Sequence, residues 1–221
     1  IAVIASLTAD VKRAYRLGAC DCFRLPFVTS ILNHRIENAI ATHEKEYRDY
    51  LTRAYNRRGF VYMVERFLNH CEDRTRYGIL YFNIKNFKAT NELLGVKEGD
   101  CILQSFCKSI ERSFLHPVYT ARVEADHFVS FVERDRISLK KLEEFCNQTF
   151  EIYNKKIRVH SCCGIFYLKD ENMPVAGMVD RAKLAKQHIV DEYLKPYAVF
   201  DQKMEMEYID KAEIAAAFEE A

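Results

Sequence analysis

The chain has 221 residues, 33 basic against 32 acidic side chains, and 49% hydrophobic residues. That composition supports one sizeable core with an appendage. A formal charge of +1 leaves no electrostatic footprint for nucleic acid or an anionic membrane as a partner. No apolar run approaches the ~20 residues of a membrane span, and no signal peptide is read, so a cytoplasmic setting is expected. The cysteines lack zinc spacing, with Cys20 and Cys22 too close and Cys162 and Cys163 adjacent. They read as small core residues of a reduced protein.

Residues 1–27 order as strand, helix, Gly18-Ala19-Cys20-Asp21, strand, then Leu25-Pro26-Phe27. This order resembles the second half of a response-regulator receiver domain, as in two-component systems. The opening strand has no lead-in, so the segment is expected to be a remainder of such a domain. The resemblance places a lysine before the proline, where this chain has Leu25. Residues 28–50 read as one helix, with Leu32, Ile36, Ala39, Ile40, His43, Tyr47 and Tyr50 at steps of three and four. Two readings stay open: a connector packed on its own domain, or a signalling helix forming a homodimer.

Residues 49–60, Asp49-Tyr50-Leu51-Thr52-Arg53-Ala54-Tyr55-Asn56-Arg57-Arg58-Gly59-Phe60, carry good local caps in Asp49, Thr52 and Asn56. A helix over 57–71 follows, then a strand at 79–82. A helical segment over 87–94 comes next, and Asp100 stands before another helix over 100–114. A strand end opening into a helix N-terminus presents free N–H groups to a phosphate. Residues 118–131 alternate as a hairpin around Glu124-Ala125-Asp126-His127-Phe128. A helix over 139–153, a strand over 157–168, a helix over 176–189 and a strand over 197–201 complete the order α-β-α-α-β-β-α-β-α-β. The expected fold is α/β (α+β), a mixed sheet flanked by helices.

Residues 49–60 match the D-x-L-T-x-x-x-N-R-R-G-F opening of the GGDEF family, the diguanylate cyclases, which join two GTP molecules into cyclic di-GMP. The stretch 79–100 resembles the same family. Its D-x-D-x-F-K is here Asn83-Ile84-Lys85-Asn86-Phe87-Lys88, its N-D is Asn91-Glu92, and its G-H-x-x-G-D is Gly95-Val96-Lys97-Glu98-Gly99-Asp100. The resemblance implies a nucleotidyl-cyclase or polymerase-palm fold. It also implies Mg²⁺ held by two acids, at positions that here are Asn83 and Asp126. The second acid of D-x-D is Lys85, and the signature's Glu is His127. Mg²⁺ needs hard oxygen ligands, so Asp126 alone remains for a weak site. Both signature glycines are replaced, and Glu124 brings a negative charge toward the expected triphosphate. The phosphate-holding end of the last helix is altered: Ala182-Lys183 is followed by Lys186 one position off and by no Gly-Arg. The product-inhibition motif would fall at Leu115 and Val118 and is not kept. Asn91 and Asp100 correspond to the guanine-binding positions, and Phe87 and Lys88 to the cradle. Each also has a structural reading, Asn91 as a helix-face polar residue and Asp100 as an N-cap.

These features divide the chain into a partial receiver over 1–27, a linker helix over 28–48 and a degenerate GGDEF domain over 49–201. A helical tail over 202–221 resembles the lead-in to an EAL phosphodiesterase domain. The resemblance implies a non-catalytic regulatory module that binds GTP without turnover. The competing readings are a cyclase with altered metal use and a dimerisation scaffold with an empty site.

Overall fold

The computed structural model describes residues 2–5, 8–19, 21–24, 28–169, 172–191, 193–207 and 209. It divides into two compact units, residues 1–48 and 49–221. In the first, β1 (Ala2–Ala5) and β2 (Asp21–Arg24) pair in parallel, joined by α1 (Thr8–Arg16), and α2 (Thr29–Tyr47) follows. A parallel pair needs such a crossover to bring its strands alongside. Ile31 and Ile36 of α2 are exposed. Leu25, the expected lysine position of the receiver resemblance, lies outside the described residues, as does the tail at 208 and 210–221. Residues 202–207 are helical.

The second unit starts with α3 (Arg57–Leu68), whose N-cap Asn56 accepts from the Gly59 N–H at 2.9 Å, as its residue type predicts. Next comes β3 (Tyr77–Ile84), then α4 (Phe87–Leu94) and α5 (Val96–Glu111). The hairpin β4 (Tyr119–Glu124) and β5 (His127–Glu133) follows, then α6 (Leu139–Phe145), β6 (Asn147–Ile152), β7 (Lys155–Tyr167), α7 (Val175–Gln187) and β8 (Tyr197–Val199). The sheet order is β4-β5-β3-β7-β6, antiparallel throughout, with β8 added in parallel on β7.

Two boundaries differ from the sequence reading. The helix expected over 139–153 stops at Phe145, and residues 147–152 form β6, which pairs with β7 across a turn at Tyr153 and Asn154. Both turn residues take positive φ, +49° and +62°, the geometry a tight hairpin demands. Helix α5 begins at Val96, so Asp100 lies beyond its first turn and is not its N-cap. Gly95, at φ +104°, closes α4 and opens α5 at once.

Strand β3 is buried on both faces. Leu80, Phe82 and Ile84 enter one core with Ile102, Leu103, Phe106 and Ile110 of α5. Ile79 and Tyr81 enter the other with Phe60, Val64 and Leu68 of α3 and Met178, Val179 and Ala182 of α7. The period-2 alternation of a strand produces this partition. Cys107, Cys146, Cys162 and Cys163 are core residues, whereas Cys22, Cys71 and Cys101 are half-buried, and all seven are free thiols. Burial pushes the Cys107 and Cys146 thiols up to about 12, which makes them inert at neutral pH. Among the described residues no helix is long and apolar enough to cross a membrane.

Candidate nucleotide site at the signature hairpin

The site is built where β3 ends beside the β4–β5 turn. Asn83 is paired directly opposite His127, so both emerge at the same end of the sheet. The turn residue Ala125 has φ +38°, a conformation glycine adopts without cost and a Cβ-bearing residue does not. The turn is braced by Arg122, whose Nε donates to the Ala125 carbonyl at 2.7 Å. The Arg122 guanidinium also pairs with Asp49 at 3.3 Å, both side chains being largely buried. Asp49 in turn accepts from the Thr52 N–H at 2.8 Å and hydroxyl at 2.7 Å. The opening motif thus reaches across the domain to hold the signature turn, a role that local capping did not foreshadow.

Asn83 Nδ2 donates to Asp126 Oδ2 at 2.7 Å. The amide therefore presents its donor to the carboxylate, so one carboxylate oxygen is already engaged. Lys85, on the loop after β3, donates its main-chain N–H to the His160 carbonyl at 2.8 Å. One carboxylate, an amide facing it with N–H, and a lysine two residues on do not fit a resident Mg²⁺, which prefers several hard oxygens. Among the described residues no group of three or more His, Cys, Asp or Glu side chains could hold a metal.

Beside this pair lies a second cluster that the sequence reading did not assemble. Lys183 Nζ of α7 donates to Glu124 Oε1 at 3.0 Å. The same oxygen lies 3.1 Å from His127 Nδ1 and 3.4 Å from the Tyr81 hydroxyl. Tyr81 and His127 Nδ1 are 3.0 Å apart. Hydrogen bonds from Lys183 first, and from His127, hold the Glu124 carboxyl down at about 2. Burial, with the Glu124 charge adding to it, raises the Tyr81 hydroxyl well above its ordinary value, so it stays protonated and able to donate. Tyr81 carried no sequence signal beyond its place in an apolar strand. Lys183 had one, the match of Ala182-Lys183 to the family's last-helix pattern, but its partner is 59 residues away.

The residues at the family's guanine-binding positions form another group. Asn91 of α4 lies against Gly99 of α5, where an added Cβ would overlap its Oδ1 and meet the Phe87 ring at 3.3 Å. That Oδ1 is buried without a hydrogen-bond partner, and an orphaned buried acceptor carries a desolvation cost that a ligand could relieve. Asp100 stands next to Gly99, half-buried on α5, and Lys88 is exposed on α4. Phe87 and Lys85 also line a pocket of about 180 Å³ with Thr90, Arg158, His160 and Tyr193. Asn83 and Asp126 are thus brought together, as are Phe87 and Asn91. Leu115 is fully buried, and Val118 precedes β4 at the surface.

A family profile described as "Diguanylate cyclase, GGDEF domain" matches residues 46–188. The chain belongs to the GGDEF family. Over 198 residues, 81% of this chain, it is 23% identical to the bifunctional diguanylate cyclase/cyclic di-GMP phosphodiesterase MucR of Pseudomonas aeruginosa. Over 89 residues, 36% of this chain, it is 34% identical to the biofilm architecture maintenance protein MbaA of Vibrio cholerae. These matches span only 29% and 11% of those relatives. Among solved structures, the coiled coil and GGDEF domain of DgcB from Caulobacter crescentus, in complex with c-di-GMP, superposes with a TM-score of 0.62. That match is 18% identical over 77% of this chain and 94% of that one. The GGDEF domain of PA1120 from Pseudomonas aeruginosa gives 0.60, at 19% identity over 72% and 98%. The GGDEF assignment thus rests on sequence, and the structural matches agree in fold.

Proposed function

We propose that the chain is a non-catalytic regulatory GGDEF domain of a bacterial cyclic di-GMP signalling protein. It would bind GTP without turnover and control a downstream phosphodiesterase domain. The observation that carries this reading is the Asn83–Asp126 hydrogen bond. Where the family joins two carboxylates through a metal, this chain joins an amide to a carboxylate directly. Lys85 nearby adds a cation where positive charge opposes Mg²⁺. The orphaned Asn91 Oδ1 beside Phe87 supports retained nucleotide recognition. The proposed organisation is a partial receiver over 1–27, a signalling helix over 28–48, the GGDEF domain over 49–201 and a lead-in to an EAL domain over 202–221. The exposed Ile31 and Ile36 favour a homodimer through the helix.

The test is calorimetric titration with GTP, with and without Mg²⁺. Micromolar binding that barely depends on Mg²⁺ is expected. Cyclic dinucleotide formed from GTP would overturn the reading, and no binding at millimolar GTP would leave a scaffold. The double change Asn83→Asp, Lys85→Asp should make GTP affinity Mg²⁺-dependent. Unaltered affinity would mean that these positions do not face the nucleotide.

A further inference from the structure

Glu124 is unusual for a hairpin-end glutamate. Its side chain is 48% exposed, yet one carboxylate oxygen is surrounded by groups from three separate elements. They are Lys183 Nζ from α7 at 3.0 Å, His127 Nδ1 from β5 at 3.1 Å and the Tyr81 hydroxyl from β3 at 3.4 Å. With the ring proton on Nδ1, all three donate to that oxygen. Tyr81 itself is only 2% exposed, so its hydroxyl is held by the core and cannot swing away. Three convergent donors, one cationic and one fixed by the core, make an oxyanion cage.

We infer that Tyr81, His127 and Lys183 form an oxyanion-binding site that Glu124 of the same chain occupies as an intramolecular plug. The ligand class that the emptied cage would take is a phosphate-type oxyanion. This cage uses Tyr81 and His127 of this chain, and its occupant is seated by a braced turn. Ala125 at φ +38° and the Arg122–Ala125 bond, with Asp49 behind Arg122, point Glu124 inward. A tethered carboxylate needs no translational freedom to be lost on binding and so excludes a free anion from solution. The inference deepens the reading of an inactive nucleotide site by naming what closes its anion end.

The experiment titrates inorganic phosphate, with no nucleotide present, into the full chain at constant ionic strength, read by calorimetry and ³¹P NMR. Glu124→Ala should bind phosphate on the order of tenfold more tightly than the native chain, the effect of freeing a charge-assisted donor set. Adding Lys183→Met to Glu124→Ala should abolish the gain. Equal affinity in the native and Glu124→Ala chains, or a gain that survives Lys183→Met, overturns the inference. Should Glu124→Ala not melt cooperatively, Glu124→Ser, whose shorter side chain cannot reach Lys183, decides by the same titration. Because neither GTP nor Mg²⁺ enters, the outcome is separate from the GTP test: either can fail alone.

Discussion

Helix α7 carries Lys183 to the signature turn, and Gly164 determines how closely that helix lies on the sheet. A Cβ built at Gly164 would overlap the Ala182 carbonyl oxygen and lie 2.5 Å from the Lys186 nitrogen and 2.9 Å from Lys186 Cβ. Two of these are main-chain atoms of α7, so no rotamer change relieves them. Ordinary carbon contacts begin near ~3.5 Å, so Gly164→Ala must push α7 outward by at least ~1 Å. Overpacking of this kind costs about 1–3 kcal/mol, or roughly 2–12 °C in melting temperature for a chain of this size. The comparison is Gly177→Ala within α7 itself, where the nearest atoms to an added Cβ stand at 3.6 Å. There the added methyl fits, and relief of glycine's conformational entropy should stabilise by about 0.5–1 kcal/mol. Thermal denaturation of the two variants should therefore move in opposite directions. Unchanged melting in Gly164→Ala, or shifts of one sign, would refute the packing argument and with it the placing of Lys183.

Asp49→Ala should cost about 3–5 kcal/mol in urea denaturation, because it strands the largely buried Arg122 charge and removes the Thr52 cap; Asp49→Asn should recover part, and a loss under 1 kcal/mol, on the scale of an exposed pair, would contradict the bracing role. Glu124 has its carboxyl lowered from 4.5 to about 2 in the fold, so its stabilising effect is complete above 4.5 and is lost as pH falls toward 2. Solvent screening at this exposed side chain limits it to about 0.5–1 kcal/mol, seen as a stability difference between the native chain and Glu124→Gln that shrinks over that window; a difference independent of pH would count against the ion pair. Gly99→Ala should displace Asn91 and weaken GTP binding while leaving the circular dichroism spectrum unchanged; undiminished affinity would remove Asn91 from the nucleotide site.

The legible parts of this chain were those decided by near neighbours in sequence. Asn56 could be assigned as a cap because its partner Gly59 is three residues on, and β3 because its apolar run has no polar interruption before Asn83. Strand β6 was hidden because Leu139, Leu142, Phe145, Phe150 and Ile152 can be threaded on a helix. What ends that helix is pairing with β7, and antiparallel pairing through a two-residue turn outweighs weak local preference. Asp100 looked like a cap because it precedes apolar residues, but Gly95 had already opened α5.

The site was legible as a list of altered positions and illegible as an arrangement. Each departure, taken alone, is a loss: Asn83 for a carboxylate, Glu124 for a glycine, His127 for a glutamate. The fold shows two of them compensating. Glu124 would be an unbalanced charge at the turn, except that α7 brings Lys183 to it, and His127 and Tyr81 supply further donors. Asp126, left without a second carboxylate, is satisfied by the Asn83 amide. An isolated Asp126 in the company of Glu124 would repel it, and a bare Lys183 would remain open to anions; instead each group has a partner within the chain. An unpaired, half-buried polar group costs free energy, and the pairing at this turn avoids that cost.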